Sequence, residues 1–182
     1  MSSKKSVDDY LKALGRISVN FTRIESFLGI FVGELISEDF GLNLCVVAGS
    51  GMMELVNLFR ALFRYRVAKS DLIKRCQAVL SKIEDVNDRR NRLLHSEWVL
   101  GEFDGTVVAW RTKLKKRSKH GLQSEFENNN YEEINVLLEN MQSTLSELTT
   151  LMTESRELIV KHRKENQKRN HVQFGPKRID KL

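Results

Sequence analysis

Apolar residues recur at helical spacing through most of this chain. Between residues 7 and 36, Leu14, Phe21, Leu28 and Leu35 repeat every seven positions, with Ile17, Ile24 and Phe31 between them. This predicts one long amphipathic helix. Ser18, Glu25 and Val32 run beside the stripe, which puts Glu25 at the edge of the buried face. Gly41 is expected to break the pattern before a short apolar segment at 42–49. After Gly49-Ser50-Gly51, where Ser50 can cap, the positions Met52, Leu55, Val56, Phe59, Leu62 and Phe63 predict a second amphipathic helix to about Arg66. Ser70, with Asp71 behind it, is a start signal for a third. In that helix Leu72, Cys76, Val79, Ile83, Val86, Arg90 and Leu93 step by four and three, a single stripe interrupted only by an arginine. Asn87, Asn91 and Leu94 flank it, and the helix is expected to end near His95 or Ser96.

The period then changes. Residues 98–114 are rich in Val, Trp, Phe and Thr, and Asp104-Gly105 at their centre signals a tight hairpin turn. Trp98 and Trp110 are expected to face each other across it. A polar loop is expected through Asn129, then a capping pair of Asn130 with Glu133. From Ile134 to Ile159 a helical apolar stripe predicts one long last helix. Beyond about Gln167 the apolar period stops, and a disordered tail is expected. The fold class that follows is all-α: an up-and-down helical bundle with one β-hairpin, about 97–114, inserted before the last long helix. One domain over 1–167 and a basic tail at 168–182 are expected.

Charge adds a partner to this picture. The 182 residues carry a net charge of +6, and residues 161–182 alone hold eight cations against two acids. The remainder is neutral, yet it contains a block of six cations and no acid: Arg111, Lys113, Lys115, Lys116, Arg117 and Lys119. Two basic segments on a neutral body point to a polyanion such as RNA, held through its phosphates. The other reading is a solvated loop and a solubilising tail. Cys45 and Cys76 lie in apolar patterns without C-x-x-C or C-x-x-H spacing, so they read as reduced core thiols of a cytoplasmic protein, and no metal site is expected. No apolar run suits a membrane span and no signal peptide is visible. Phosphate-loop, dinucleotide-binding and nucleophile-elbow motifs are also missing, and no cofactor is expected.

The residues suited to chemistry are Arg90, Asn91 and His95. On a helix, Asn91 and His95 are four apart and share a face, and the long Arg90 side chain reaches the same rim. Arginine binds phosphate oxygens in pairs and stays charged, while histidine exchanges a proton near neutral pH. An arginine in register with six apolar residues needs a buried partner or a functional reason. The plainer reading is an arginine that snorkels and a histidine at a helix end.

The stretch RNRLLHSEW resembles the HEPN superfamily, small helical bundles whose signature is an arginine, a polar residue, and a histidine four to six residues after the arginine. Over about residues 7–167 the order of elements is also similar, with Ile24-Glu25 in the first helix, then the motif helix, a Trp-containing hairpin and a long last helix. The resemblance implies a metal-independent endoribonuclease in which two motif helices meet across a homodimer. By it, Arg90, Asn91 and His95 are the catalytic residues and Glu25 a secondary candidate. It further implies a toxin or phage-defence effector with an antitoxin protein as a partner. Two other readings stay open: a dimer that binds RNA, nucleotide or protein without cleaving, and a purely structural dimer.

Overall fold

Five helices account for most of the described residues: α1 (Val7–Ile36), α2 (Phe40–Val47), α3 (Met52–Arg66), α4 (Ser70–Leu94) and α5 (Tyr131–Gln173). Between α4 and α5 lie three strands, β1 (Glu97–Phe103), β2 (Thr106–Arg117) and β3 (Gly121–Asn128), paired antiparallel in the order β1-β2-β3. The structure is a computed structural model. It describes residues 5–95, 97–103, 106–117, 121–128 and 131–173, and of residues 97, 99, 102, 103, 106–117, 121–128 and 167–173 the backbone alone. The class is the expected one, an all-α helical bundle carrying a β insertion. The described residues form two compact units, the first up to Phe27 together with Ser81–Ser146, the second Leu28–Leu80 together with the chain from Glu147 onward.

The first unit buries Ala13, Ile17, Phe21 and Ile24 of α1, Ile83, Val86 and Leu93 of α4, and Ile134, Leu137 and Met141 of α5. These are the stripes that the periodicity marks, except that Ala13 is buried in α1 where Leu14 was expected, and Leu14 is half-buried. The helix α1 starts on a reciprocal cap. The Ser6 backbone N–H donates to Asp9 Oδ2 at 2.9 Å, and the Asp9 N–H donates to Ser6 Oγ at 3.2 Å. The Ser6 backbone N–H and the Ser6 hydroxyl, which donates to Asp9 Oδ2 at 3.0 Å, both favour the ionised carboxylate and hold Asp9 below its usual range. Tyr10 meets Tyr131 at the start of α5 edge to face, ring centres 5.1 Å apart.

The second unit buries Leu28, Phe31, Val32 and Leu35 of α1, then Met52, Leu55, Val56, Phe59 and Phe63 of α3, with Leu148, Leu151, Met152 and Ile159 of α5. Phe59 and Phe63 stack within α3, centroids 5.4 Å apart. The C-terminus of α1 leaves carbonyls that the helix cannot satisfy. Two arginines meet them. Arg66 donates through Nε to Leu35 O at 2.9 Å and through Nη2 to Ile36 O at 3.2 Å, and Arg163 donates to Glu34 O. Arg163 also pairs with Glu38 at 3.4 Å.

The structure departs from the sequence reading at several points. The helix α1 keeps its expected bounds, but Gly41, expected as a break, lies inside a further helix, α2. Asp39 caps α2 by accepting from the Leu42 N–H at 3.0 Å. Its apolar content hides this helix from a periodicity test, because no face is polar enough to set a phase. Cys45 on α2 is exposed, so only Cys76 is a core thiol. The polar stretch expected as a loop contains β3. Its alternation, Leu122, Ser124 and Phe126 against Gln123, Glu125 and Glu127, has period two with few apolar residues to show it. Finally, β-register sets Trp98 opposite Arg111 and Trp110 opposite Val99, so the two tryptophans do not pair. At the chain end, α5 runs on to Gln173 through part of the expected tail; the rest of that tail, the Asp104-Gly105 turn and the Asn130 cap lie outside the described residues. Caps shift by one position elsewhere: Gly51, not Ser50, precedes α3, and Ser70 is itself the first residue of α4.

Two expected results follow from this packing. A Cβ at Gly33 of α1 would sit 2.7 Å from Asn43 Cβ of α2, which is part of the stiff base of a side chain. Gly33→Ala must therefore push α2 away, and urea unfolding should show a loss of about 1–3 kcal/mol. For the thiols, burial pushes Cys76 up to about 12 while Cys45 stands in solvent. A thiol reagent at about pH 8 should modify Cys45 alone in the native protein and Cys76 only in denaturant. Because the folded state holds Cys76 neutral, its contribution is intact below the ordinary thiol value of 9.0 and is lost as pH rises from there toward 12.

Candidate functional site

The last turns of α4, in the first unit, carry the motif. Here Arg90 departs from the apolar stripe without leaving the core edge. Its guanidinium carbon lies 4.6 Å from the centroid of the buried Phe21 ring on α1. A guanidinium over an aromatic face is attracted by the ring quadrupole, so the apolar stripe of α1 itself supplies a seat for the charge. Sideways, Arg90 Nη1 donates to Asn91 Oδ1 at 2.9 Å. Asn91 Nδ2 in turn donates to Oδ1 of the buried Asn87, one turn earlier, at 3.4 Å. Asn87, Asn91 and Arg90 thus form a short polar ladder along α4. Arg90 Nε is buried and has no hydrogen-bond partner among the described residues.

His95 follows directly on the helix. Its backbone N–H donates to Asn91 O at 3.1 Å, which keeps the four-residue spacing of Asn91 and His95 helical. The His95 side chain is exposed. The chain then turns into β1, where Trp98 Nε1 donates to Leu93 O at 2.7 Å. That bond satisfies one of the orphan carbonyls at the end of α4 and fixes the exit of the chain beside His95.

The structure therefore brings Arg90 and Asn91 into direct contact and sets His95 one turn away. Glu25, one turn beyond Phe21 on α1, is half-buried as expected for the edge of the stripe. No hydrogen bond or ion pair among the described residues joins it to Arg90, Asn91 or His95. The basic block falls differently from the reading as a loop. Arg111, Lys113, Lys115, Lys116 and Arg117 belong to β2, with Arg111 in register with Glu127 and Lys113 with Glu125. The side chains of that block, and Lys119 altogether, lie outside the described residues.

Sequence reasoning passed over Asn87 and Phe21 as site residues. Asn87 carried a signal, since it sits three before Arg90 and four before Asn91 on the flank of the stripe. Phe21 carried none, because its place in the heptad pattern of α1 describes any core aromatic. Among the described residues no group of three or more His, Cys, Asp or Glu is placed to hold a metal ion, and no helix is long and apolar enough to cross a membrane. Compared with known proteins, the chain matches no family model, no curated protein and no solved structure.

Proposed function

We propose that this protein is a metal-independent endoribonuclease of the HEPN type, acting as a homodimer whose α1 and α4 helices bring two copies of Arg90, Asn91 and His95 to one cleft. The observation that carries this reading is the state of Arg90. Its guanidinium is seated on Phe21 and tied to Asn91, yet its Nε is buried without an acceptor, one turn from an exposed imidazole. A buried unpaired donor is costly unless something completes it. A phosphate oxygen would do so and would meet a cation held ready for it.

In the reaction, the ribose 2′-hydroxyl attacks its own phosphorus and the bond from phosphorus to the 5′-oxygen breaks. One His95 takes the proton of the 2′-hydroxyl. The other, entering protonated, gives a proton to the departing 5′-oxygen, so the products are a 2′,3′-cyclic phosphate and a 5′-hydroxyl. Each chain has one histidine at the motif, and two chains divide the two proton tasks. Arg90 stabilises the charge on the phosphorane, and Asn91 fixes its fork. The basic block of β2 adds affinity through phosphates without reading sequence. Such an enzyme fits a toxin or phage-defence effector held in check by an antitoxin protein.

The test is cleavage of RNA by the purified protein in EDTA, beside His95→Ala. Wild type should cleave and leave cyclic phosphate ends, and a substrate with a methylated 2′-oxygen should resist. His95→Ala should lose about a hundredfold or more in rate while folding normally, because the ring is at the surface. Unchanged activity in that variant would remove the catalytic assignment and leave a binding module.

A further inference from the structure

The last turn of α3 holds an aromatic ring in the open. Tyr65 is 62% exposed and stands between Arg64 and Arg66. Its hydroxyl accepts from Asn166 Nδ2 of α5 at 3.2 Å. The His162 ring meets it edge to face with centroids 5.0 Å apart, and the Arg66 guanidinium carbon lies 5.4 Å from its centroid. Arg66 Nη1 and His162 Nδ1 are themselves 3.4 Å apart, so the two back the ring from one side and the rest of it is open to solvent. Arg66 is fixed in turn by the carbonyls of Leu35 and Ile36. Ala61, one turn before Tyr65, and Ala68, three residues after it, are exposed and too short to cover the ring.

The surroundings are cationic. Between Glu54 and Asp71 the chain has Arg60, Arg64, Arg66 and Lys69 and no acid. Arg64 is exposed and has no side-chain hydrogen bond or ion pair among the described residues. On α5, residues 161–166 add Lys161, Arg163 and Lys164 against Glu165. Glu34, Glu38 and Glu154 are engaged by Arg156, Arg163 and Arg75. The dipole of α3 accounts for arginines in its last turn. It gives no reason for a tyrosine braced in solvent among them. We infer that this surface of the second unit binds single-stranded nucleic acid, with one base stacked on the open face of Tyr65 and an adjoining phosphate on Arg64. Every base has a π-face, so a braced ring among cations takes a strand without reading its sequence. A duplex keeps its bases stacked on one another and offers none to the ring. An acidic peptide meets the same charges but has no obligatory group for the ring. The site goes beyond the cleavage reading, because it requires binding alone and none of its residues belongs to the Arg90 motif.

The probe is a short fluorescein-labelled oligoadenylate with methylated 2′-oxygens, which attack by the 2′-hydroxyl cannot cut, read by anisotropy. It is titrated into protein carrying Arg90→Ala, so that a strand held at the motif does not mask this site. In that parent, Tyr65→Ala should weaken binding by about tenfold, whereas Tyr65→Phe, which keeps the ring, should bind nearly as the parent does. Arg64→Ala should weaken binding and flatten its salt dependence by about one counterion. Circular dichroism should be unchanged in all three, since both side chains face solvent. An abasic strand of equal length should bind the parent no better than the oligoadenylate binds Tyr65→Ala. Equal affinity of Tyr65→Ala and its parent would overturn the inference. Equal affinity of the abasic and base-bearing strands would overturn it too, by reducing the contact to charge alone. So would a polyglutamate peptide that binds the parent as tightly and is lost with Tyr65→Ala, which would make the partner a protein. Whether the protein cleaves RNA enters none of these readings.

Discussion

Replacing Arg90 with alanine is expected to lower the rate of RNA cleavage by about a hundredfold or more, the usual cost of removing a group that stabilises transition-state charge. Arg90→Lys should not restore it. Lysine keeps the charge but loses the planar fork, so it cannot hold Asn91 Oδ1 with one nitrogen and offer a second to phosphate. Arg90→Ala also loses the seat over Phe21, worth about 0.5–2 kcal/mol, which thermal unfolding will report as a small shift. The comparison that decides is turnover against the Michaelis constant with the same RNA. A loss confined to turnover places Arg90 on the transition state, whereas a loss confined to the Michaelis constant makes it a binding residue only.

The opposite pattern is expected of Phe59→Ala. Phe59 is fully buried and stacks on Phe63, also fully buried. Truncation removes an aromatic ring from a packed interior and leaves a cavity, at a cost of about 3–5 kcal/mol. Against a typical stability of about 5–15 kcal/mol this is a large fraction, and urea unfolding should show a much lower midpoint with little change in slope. At temperatures where the variant is folded, cleavage should be close to wild type, because Phe59 belongs to the second unit and Arg90, Asn91 and His95 to the first.

What the sequence reveals and what it hides divide along physical lines. The stripes of α1, α3, α4 and α5 were legible because each buries one face and exposes another, and burial imprints a period of 3.6 on the chain. The α4 stripe even predicts which residue breaks rank: all six apolar members are buried and Arg90 is only partly so. The helix α2 was illegible for the reverse reason, since its exposed side chains are as apolar as a core. The strand β3 was hidden by its polar composition, although its alternation is present. At the site, Arg90, Asn91 and His95 could be singled out by residue type and spacing along one helix. The contact with Phe21 could not, because it joins positions far apart in the chain, and a heptad pattern does not say which aromatic a cation will find.

The pair of arginines on the end of α1 sets an order of events during folding. Arg66 lies 31 residues after the Leu35 carbonyl it binds, and Arg163 lies 129 residues after that of Glu34. During synthesis the last turn of α1 emerges long before its second arginine. Its carbonyls then rely on water until α5 has docked, and contacts of such long range close late and slowly. Hydrogen exchange pulsed during refolding should accordingly find the middle of α1 protected ahead of its final turn, and the docking of α2, whose cap Asp39 lies three residues past Ile36, arriving among the last steps.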